Sequence, residues 1–361
     1  MSEAGSGRPT TIVLDCMGSD HGPLEAVTAA AQLSIARPDF HLLLVGDDAQ
    51  LSPMLDELEY DPGRLSIRHT DQWVAMDESP RGVFDRKPEA SILVACKIVS
   101  DGRADAVVTA GNTGGAILAA ALGLGRIPGV RRAALAAVTP TEQTHGPNQD
   151  PFSLLLDVGA TLSASARDLV TFAIMGSAYA SAISSNPAPS VALLSNGTEA
   201  HKGPAEVVQA HRILAGLSEV NFAGNVEGLD IPRGSVDVVV TNGFMGNVVL
   251  KMLEGIGEVI SDLAQDAYAR KFLWRFGLTM LSSGLRQIQR ALDWEEYGGA
   301  PILGFAQPII KAHGRSRAKA IANACKVAAK ASRSDMIRVI ERAVARIPDE
   351  DGEEEARTRD P

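Results

Sequence analysis

The sequence has few cysteines and lacks several motifs that identify common enzyme classes. Cys16, Cys96 and Cys325 stand far apart with no Cys-x-x-Cys pair, which excludes a disulfide framework and a cysteine-based zinc site. It has no GxGxxG after a predicted strand, no P-loop motif, no GxSxG and no HExxH, so the usual dinucleotide, nucleotide, hydrolase and metalloprotease signatures are missing. No apolar run reaches the roughly 18 residues that a membrane span requires. The first ten residues lack the apolar core of a signal peptide, so we expect a cytoplasmic protein.

Negative charge exceeds positive charge and gathers at the end of the chain. The net charge is −10, and residues 348–361 carry seven acids and two arginines. This balance argues against nucleic acid as a partner. We expect a disordered N-terminus over 1–10, a single α/β/α domain over 11–347, and a disordered acidic tail over 348–361. Of the 361 residues, 45% are hydrophobic, which is enough to form a large buried core.

Short apolar runs alternate with helical patterns along the chain. Strands are predicted at 11–15, 41–45, 65–69, 104–109, 133–138, 153–157, 191–195 and 236–241. Helices are predicted at 24–36, 90–99, 115–122, 166–184, 205–215, 246–263, 317–331 and 335–346. This alternation predicts a three-layer α/β/α fold with a mostly parallel sheet.

Loops rich in Gly, Asn and Asp follow five of the predicted strands, beginning near Asp15, Gly111, Asp157, Asn196 and Asn242. In an open α/β sheet, ligands bind outside the carboxyl ends of the strands. Glycine lets backbone N–H groups come close to a ligand, and the following helix points its positive end at it. One such loop is ordinary turn chemistry, whereas five together predict one polar crevice for a small anion such as phosphate.

Seven stretches, in order along the chain, resemble the phosphate acyltransferases of bacterial phospholipid synthesis (the PlsX type). They are DCMGSDHGP at 15–23, AGNTG at 110–114, LDVGA at 156–160, NGTEAHKG at 196–203, GNVEG at 224–228, NGFMGNVVLK at 242–251, and EYGGAP at 296–301 with AHG at 312–314. They span roughly residues 12 to 325. The sequence departs from the family pattern at Ser19, Thr161 and Asn242, where the family usually has Gly, Asn and Asp. The stretch 139–151 looks like a surface insertion.

The resemblance implies transfer of a long acyl chain from acyl carrier protein to inorganic phosphate, giving acyl phosphate for phosphatidic acid synthesis. It also implies an isocitrate- or isopropylmalate-dehydrogenase-like fold, a homodimer, and no metal, nicotinamide or other cofactor. A downstream glycerol-3-phosphate acyltransferase is the expected further partner. Two alternatives stay open: a short-chain phosphotransacetylase-like enzyme and a non-catalytic, membrane-associated scaffold.

The implied acyl transfer needs no strong acid or base, because phosphate is already largely a dianion near neutral pH and a thiol leaves easily. Backbone amides, Asn side chains and a few cations are therefore enough to catalyse it. The expected catalytic residues are His201, Lys202 and Asn225. The expected phosphate- or substrate-binding residues are Asp15, Gly18, Asp20, Asn112, Thr113, Gly114, Asn242, Gly243, Asn247 and Lys251. Turn capping and surface charge are the competing explanations for each. Cys16 is not expected to be a nucleophile.

Two basic segments suggest partners. Residues 266–292 carry five basic residues against one acid, with apolar and aromatic residues between them, and cations flanking aromatics suit a membrane surface. We expect a protruding amphipathic helical segment here that touches the membrane through Leu273, Trp274, Phe276 and Leu278, or else a dimer-packing hairpin. Residues 311–333 carry seven basic residues and no acid. Arg315, Lys319, Lys326 and Lys330 are predicted to share a helical face that either docks acyl carrier protein or is merely solvated.

Overall fold

One eleven-stranded sheet runs through the computed structural model, which describes residues 8–270 and 299–347. The strands are β1 (Thr10–Asp15), β2 (Phe40–Gly46), β3 (Leu65–His69), β4 (Ala106–Thr109), β5 (Ala134–His145), β6 (Asp150–Leu156), β7 (Ser190–Leu194), β8 (Asn221–Val226), β9 (Val238–Val240), β10 (Ala300–Leu303) and β11 (Ile309–Lys311). The helices are α1 (Leu24–Ala36), α2 (Asp48–Asp56), α3 (Val83–Arg86), α4 (Ser91–Ser100), α5 (Thr113–Gly123), α6 (Ala166–Ser184), α7 (Ala205–Ala215), α8 (Asp230–Arg233), α9 (Gly243–Arg270), α10 (Ala318–Ser332) and α11 (Met336–Val344).

The sheet consists of two parallel halves that run in opposite directions. Its order is β3-β2-β1-β4-β11-β10-β5-β6-β9-β7-β8. The five strands from β3 to β11 are mutually parallel, as are the four from β6 to β8. Between them, β10 and β5 pair antiparallel with each other and with both halves. Most neighbouring pairs are therefore parallel, which confirms that prediction.

The opposite directions of the halves correct the prediction that all five polar loops share one edge. The loops after β1 and β4 lie at the carboxyl end of the first half. The loops after β6, β7 and β9 lie at the carboxyl end of the second half, which points the other way. Only the centre of the sheet, where the halves meet, can bring loops of both groups together.

Helices cover both faces of the sheet, which confirms the three-layer α/β/α fold. Helices α1, α6 and α10 pack on one face through buried Ala, Val, Leu and Ile side chains. Helices α4, α5 and α9 pack on the other. Successive residues of a strand pack against opposite helix layers; in β11, for example, Ile309 faces α5 and Ile310 faces α10. We call these the α5 layer and the α10 layer.

The predicted strands and helices are all present, and α1, α6 and α7 match the predicted bounds to the residue. Strands β8, β10 and β11 and helices α2, α3 and α8 were not predicted. Residues 139–151 form the ends of the β5–β6 hairpin and the turn between them; that this stretch is a surface insertion stays a prediction. The predictions for the tail 348–361, for most of the N-terminus and for nearly all of 266–292 lie outside the described residues; α9 does extend through residues 266–270.

Helix α9 approaches the end of β6 so closely that its first turns require glycine. A Cβ on Gly246 would lie 1.9 Å from the backbone oxygen of Asp157, and one on Gly243 would lie 2.3 Å from that of Thr161. Both obstacles are backbone atoms, which cannot rotate away. Further along the same helix, a Cβ on Gly257 would meet nothing within 4 Å.

This contrast gives a stability prediction. Gly246→Ala should lower the free energy of unfolding by about 1–3 kcal/mol, because overpacking forces the backbone to shift. Gly257→Ala on the same helix should raise it by up to about 1 kcal/mol, since alanine is the better helix former. Urea unfolding of both variants measures the difference, and equal effects would contradict the close approach.

Candidate active site at the meeting of the two half-sheets

A cavity of about 420 Å³ lies over the central strands in the α5 layer, between α5 and α9. Its walls come from both halves of the sheet and from the strands that join them. The lining residues are Thr113, Leu135, Ala137, Val138, Val158, Gly159, Thr161, Leu162, Gly243, Phe244, Asn247, Leu250, Lys251, Glu254, Gly299, Ala300, Lys311, Ala312 and His313. The volume is in the range of small-molecule sites.

Three buried polar side chains form a row at the carboxyl ends of β1, β4 and β11. The strand register places Asp15 beside Thr109 and Thr109 beside Lys311. All three alternate with apolar residues so that they face the α5 layer, and they are 4%, 1% and 6% exposed. The Thr109 hydroxyl donates to Asp15 Oδ2 over 2.7 Å. The row ends at Lys311, which reaches the cavity wall.

Three titratable groups at this end of the cavity have pKa values shifted from their ordinary ones. Burial lowers the pKa of Lys311 to about 8, although Asp15 and Asp20 oppose the shift by favouring the ammonium form. Burial raises the pKa of Asp15, despite hydrogen bonds that favour its charged form. Burial and then the cations Lys311 and Lys251 lower the pKa of His313, which lines the cavity beside Lys311. A group with a pKa near neutrality can bind an anion or carry a proton.

The other end of the cavity is organised by Asp157, which is completely buried after β6. Its carboxylate accepts hydrogen bonds from the backbone of Leu135, Gly159, Ala160 and Thr161 and from the Thr161 hydroxyl, all between 2.8 and 3.0 Å. The Thr161 hydroxyl also accepts from the backbone N–H of Gly243 over 3.2 Å. The loop is therefore fixed against the start of α9.

Asn242 and Asn112 both act as helix caps. Asn242 Oδ1 accepts from the backbone N–H of Met245 over 2.9 Å, and an Asp would cap in the same way. This explains how Asn can stand where the family usually has Asp. Asn112 Oδ1 accepts from the backbone N–H of Gly115, and its Nδ2 donates to the carbonyls of three residues in the neighbouring loop: Ala75, Met76 and Glu78.

The loop after β7 carries two of the three predicted catalytic residues, His201 and Lys202, and the third, Asn225, lies in β8. None of the three is among the described residues that line the cavity. His201 is exposed and Lys202 is half-buried. Asn225 is buried at the end of β8, where its Nδ2 donates to the backbone oxygen of Glu199 and its Oδ1 lies 2.9 Å from His211 Nδ1. Asn225 thus holds the loop in place. The catalytic roles of these three residues stay predictions.

Of the predicted binding residues, the cavity brings together Thr113, Gly243, Asn247 and Lys251. Gly114 follows Thr113 in the first turn of α5. Gly18 has a positive φ of 79° and lies against the carbonyl of Val74. The backbone N–H of Asp20 donates to Gly314, beside the turn that carries His313. Their binding roles remain untested, and the membrane residues Leu273, Trp274, Phe276 and Leu278 lie outside the described residues.

Lys311 and His313 were missed as site residues. The sequence did contain a signal, since AHG at 312–314 is one of the family-like stretches, but β11 is only three residues long and was not predicted.

Cys16 is buried, and burial raises the pKa of its thiol far above the ordinary value, which suits a structural role.

The described residues show neither a metal-binding cluster nor a membrane-spanning helix. Within 8–270 and 299–347 there is no cluster of three or more His, Cys, Asp or Glu arranged to hold a metal ion. In the same part of the chain, no helix has the length and apolarity needed to cross a bilayer.

Comparison with known proteins places the chain among close relatives. The family described as "Fatty acid synthesis protein" matches residues 10–339. The chain is similar to the phosphate acyltransferase of Myxococcus xanthus, at 40% identity over 93% of this chain and 95% of that protein. It is also similar to the phosphate acyltransferase of Desulfitobacterium hafniense strain Y51, at 41% identity over 93% of this chain and 97% of that protein. The enzyme of Moorella thermoacetica is 42% identical over 88% of this chain and 91% of that protein.

Solved structures share the fold at low identity. A phosphotransacetylase from Streptococcus pyogenes superposes with a TM-score of 0.61 at 16% identity, covering 92% of this chain and 94% of that one. A 4-hydroxythreonine-4-phosphate dehydrogenase from Klebsiella pneumoniae superposes with a TM-score of 0.53 at 13% identity, covering 90% of this chain and 100% of that one. These likenesses extend to the fold alone.

The two capping asparagines provide a matched test. Asn112→Asp keeps the capping oxygen but loses a donor to three carbonyls, so it should lower the free energy of unfolding by about 2 kcal/mol or more. Asn242→Asp keeps its one hydrogen bond and should change stability by less than about 1 kcal/mol. Urea unfolding distinguishes them. If Asn112→Asp left stability unchanged and weakened phosphate binding instead, its amide would be a substrate ligand.

Proposed function

The chain belongs to the fatty acid synthesis protein family, and from this membership and the geometry of the cavity we propose that it transfers a long acyl group from a thioester to inorganic phosphate. The single observation that carries the substrate proposal is the composition of the cavity: an apolar wall leads to an end with a buried cation. An acyl thioester and a phosphate together need both kinds of surface.

The apolar wall is built from three parts of the chain: β5, the loop after β6, and α9. It consists of Leu135, Ala137 and Val138 of β5, Val158 and Leu162 after β6, and Phe244 and Leu250 of α9. Leu162 and Phe244 are 84% and 60% exposed at its open side. Exposed apolar side chains around a cavity favour an apolar ligand, so we assign this wall to the acyl chain.

The proposed reaction needs only the two substrates. A phosphate oxygen attacks the thioester carbonyl, the carbon–sulfur bond breaks, and the proton of hydrogen phosphate ends on the departing thiolate. The products are acyl phosphate and a thiol. No oxidant, reductant or metal is required by this balance, so we propose that no cofactor takes part. Positioning of the reactants and stabilisation of the tetrahedral oxyanion are the main contributions required of the protein.

Acyl carrier protein is the proposed thioester donor, in line with the family resemblance. Lys319, Lys326 and Lys330 are exposed on α10, whereas Arg315 precedes the helix, which begins at Ala318, and so does not belong to the predicted helical face. Helix α10 also packs in the layer opposite the cavity. This position is unfavourable for delivering an acyl chain, so docking of the carrier through α10 stays a prediction.

We further propose a homodimer that meets the membrane surface. Along α9 beyond the cavity, from residue 252 onward, five of the described apolar side chains are more than half exposed: Met252, Ile256, Val259, Ile260 and Leu263. A row of this size is unusual on a monomeric protein, and we assign it to a second copy of the chain. Membrane contact through residues 273–278, and with it delivery of the product to a glycerol-3-phosphate acyltransferase, is proposed on the sequence pattern alone.

The rival enzyme is a short-chain phosphotransacetylase, since two of the solved structures with this fold carry that name. It uses the same phosphate chemistry but has no need for an apolar wall. The length of the preferred acyl donor therefore distinguishes the two proposals.

The donor prediction is that the protein forms acyl phosphate from palmitoyl-acyl carrier protein and phosphate, and far more slowly from acetyl-CoA. Phe244→Ser should lower kcat/KM for the long-chain donor about tenfold, because burial of an aromatic side chain contributes about 1.5–3 kcal/mol. Leu229→Ser, equally exposed at 60% but outside the cavity lining, serves as the control. A preference for acetyl-CoA would overturn the long-chain assignment.

The dimer prediction concerns the apolar row on α9. Ile256→Glu combined with Ile260→Glu should weaken self-association by about 100-fold or more, since two apolar side chains are lost and charges are placed in the interface. Light scattering over a concentration series measures this. Val339→Glu, on α11 and 50% exposed, should leave the dimer intact. A double variant that stays dimeric would assign the row to another partner.

A further inference from the structure

We propose that Lys311 binds the phosphate nucleophile, and that the first turn of α5 completes this anion site. The proposal rests on the acyl transfer proposed above and assigns its phosphate to one end of the cavity. It places the phosphate on the first half-sheet, away from Lys202, the cation that the sequence pattern favoured.

Lys311 carries a charge that no nearby carboxylate compensates within the described part of the chain. Lys311 is 6% exposed, and its only hydrogen bond among the described residues goes to the backbone oxygen of Ala312. No carboxylate of the described chain lies within ion-pair distance of its Nζ; Asp15 and Asp20 act on it only from further away. An ammonium group has three donors, and buried charges are normally paired. An anion in the cavity would supply the missing partner.

Helix α5 begins at the same end of the cavity as Lys311. Its first residue, Thr113, lines the same cavity, and β4, which leads into it, pairs with β11 at Thr109 and Lys311. The backbone N–H groups of Thr113 and Gly114 have no acceptor within the described part of the chain, whereas Gly115 is capped by Asn112. Unsatisfied N–H groups and the positive end of an eleven-residue helix favour an anion.

The start of α9, which reaches the cavity from the other half-sheet, differs from the start of α5. There three of the first four N–H groups, those of Gly243, Met245 and Gly246, have acceptors within the protein, and only that of Phe244 has none in the described part of the chain. The nearby Lys251 is 54% exposed and pairs with Glu254 over 2.6 Å. The α5 end thus combines a buried cation that has no ion pair with two adjacent amides that have no acceptor among the residues that the structure describes.

The test measures phosphate binding directly, by calorimetry on the full-length protein without any acyl donor. Lys311→Met should weaken phosphate binding by about 10- to 100-fold, the range expected for loss of a charge-assisted hydrogen bond. It should not lower the midpoint of thermal unfolding, because replacing an unpaired buried charge with an apolar side chain of similar length is neutral or stabilising. Lys97→Met, on the exposed face of α4, is the matched control and should bind phosphate normally.

The pH dependence of phosphate binding adds a second readout, which would not depend on Lys311 if that residue had only a structural role. Phosphate binding by the wild type should weaken as the pH rises through about 8, since Lys311 loses its proton there, and Lys311→Met should lack this transition. Asp15 and Asp20 act electrostatically on Lys311. The neighbouring His313 is acted on by Lys311, Lys251, Glu254 and Arg315. All of these groups except Lys311 are unchanged in the variant.

The outcomes separate the two proposals. Normal phosphate binding by a folded Lys311→Met variant would overturn the assignment of Lys311 and leave the acyl transfer intact. If the wild type bound no phosphate and formed no acyl phosphate, the proposed function itself would fail. Loss of phosphate binding in Lys202→Met but not in Lys311→Met would move the anion site to the loop after β7.

Discussion

The carboxylate of Asp157 is the interaction on which the arrangement of the cavity depends. It lies where the second half-sheet ends, and its two oxygens satisfy five donors from β5 and from the following loop. Its backbone oxygen faces Gly246 so closely that no side chain fits between them. One buried carboxylate thus ties β5, β6 and the start of α9 together. Because all of its hydrogen-bonding capacity is used inside the protein, Asp157 shapes the site without being free to bind substrate.

The two half-sheets contribute differently to the cavity as a result. The Asp157 side is internally satisfied, with capped helix ends and bonded loops, and mainly offers apolar surface from Val158, Leu162 and Phe244. The first half-sheet ends in the polar row of Asp15, Thr109 and Lys311, and this row leaves an ammonium group without a close partner. Antiparallel β5 and β10 join the halves, so the apolar and the polar surfaces meet over the centre of the sheet.

The sequence predicted the layers of the fold well and the site only in part. Regular alternation identified β1 and α6, because long elements with buried faces leave a clear pattern. Strands β10 and β11, of four and three residues, leave almost none, and with β11 the position of Lys311 was lost. The direction of each strand was also unreadable, since it depends on pairing between distant residues. Gly, Asn and Asp loops were therefore assigned to one edge, although Asn112 and Asn225 turn their side chains to other parts of the protein.

A buried ammonium beside an apolar wall restricts the ligand more than either feature does alone. An acyl chain by itself would leave Lys311 without a partner, and the missing pairing is costly in a site shielded from water. A small anion by itself would leave the wall of Leu135, Val158 and Phe244 in contact with water. In the arrangement we propose, a thioester and a phosphate bound together would satisfy both surfaces, and the nucleophile would lie at the end of the chain that it attacks. The same complementarity extends to acyl phosphate, whose apolar tail and anionic head match the two ends of the cavity.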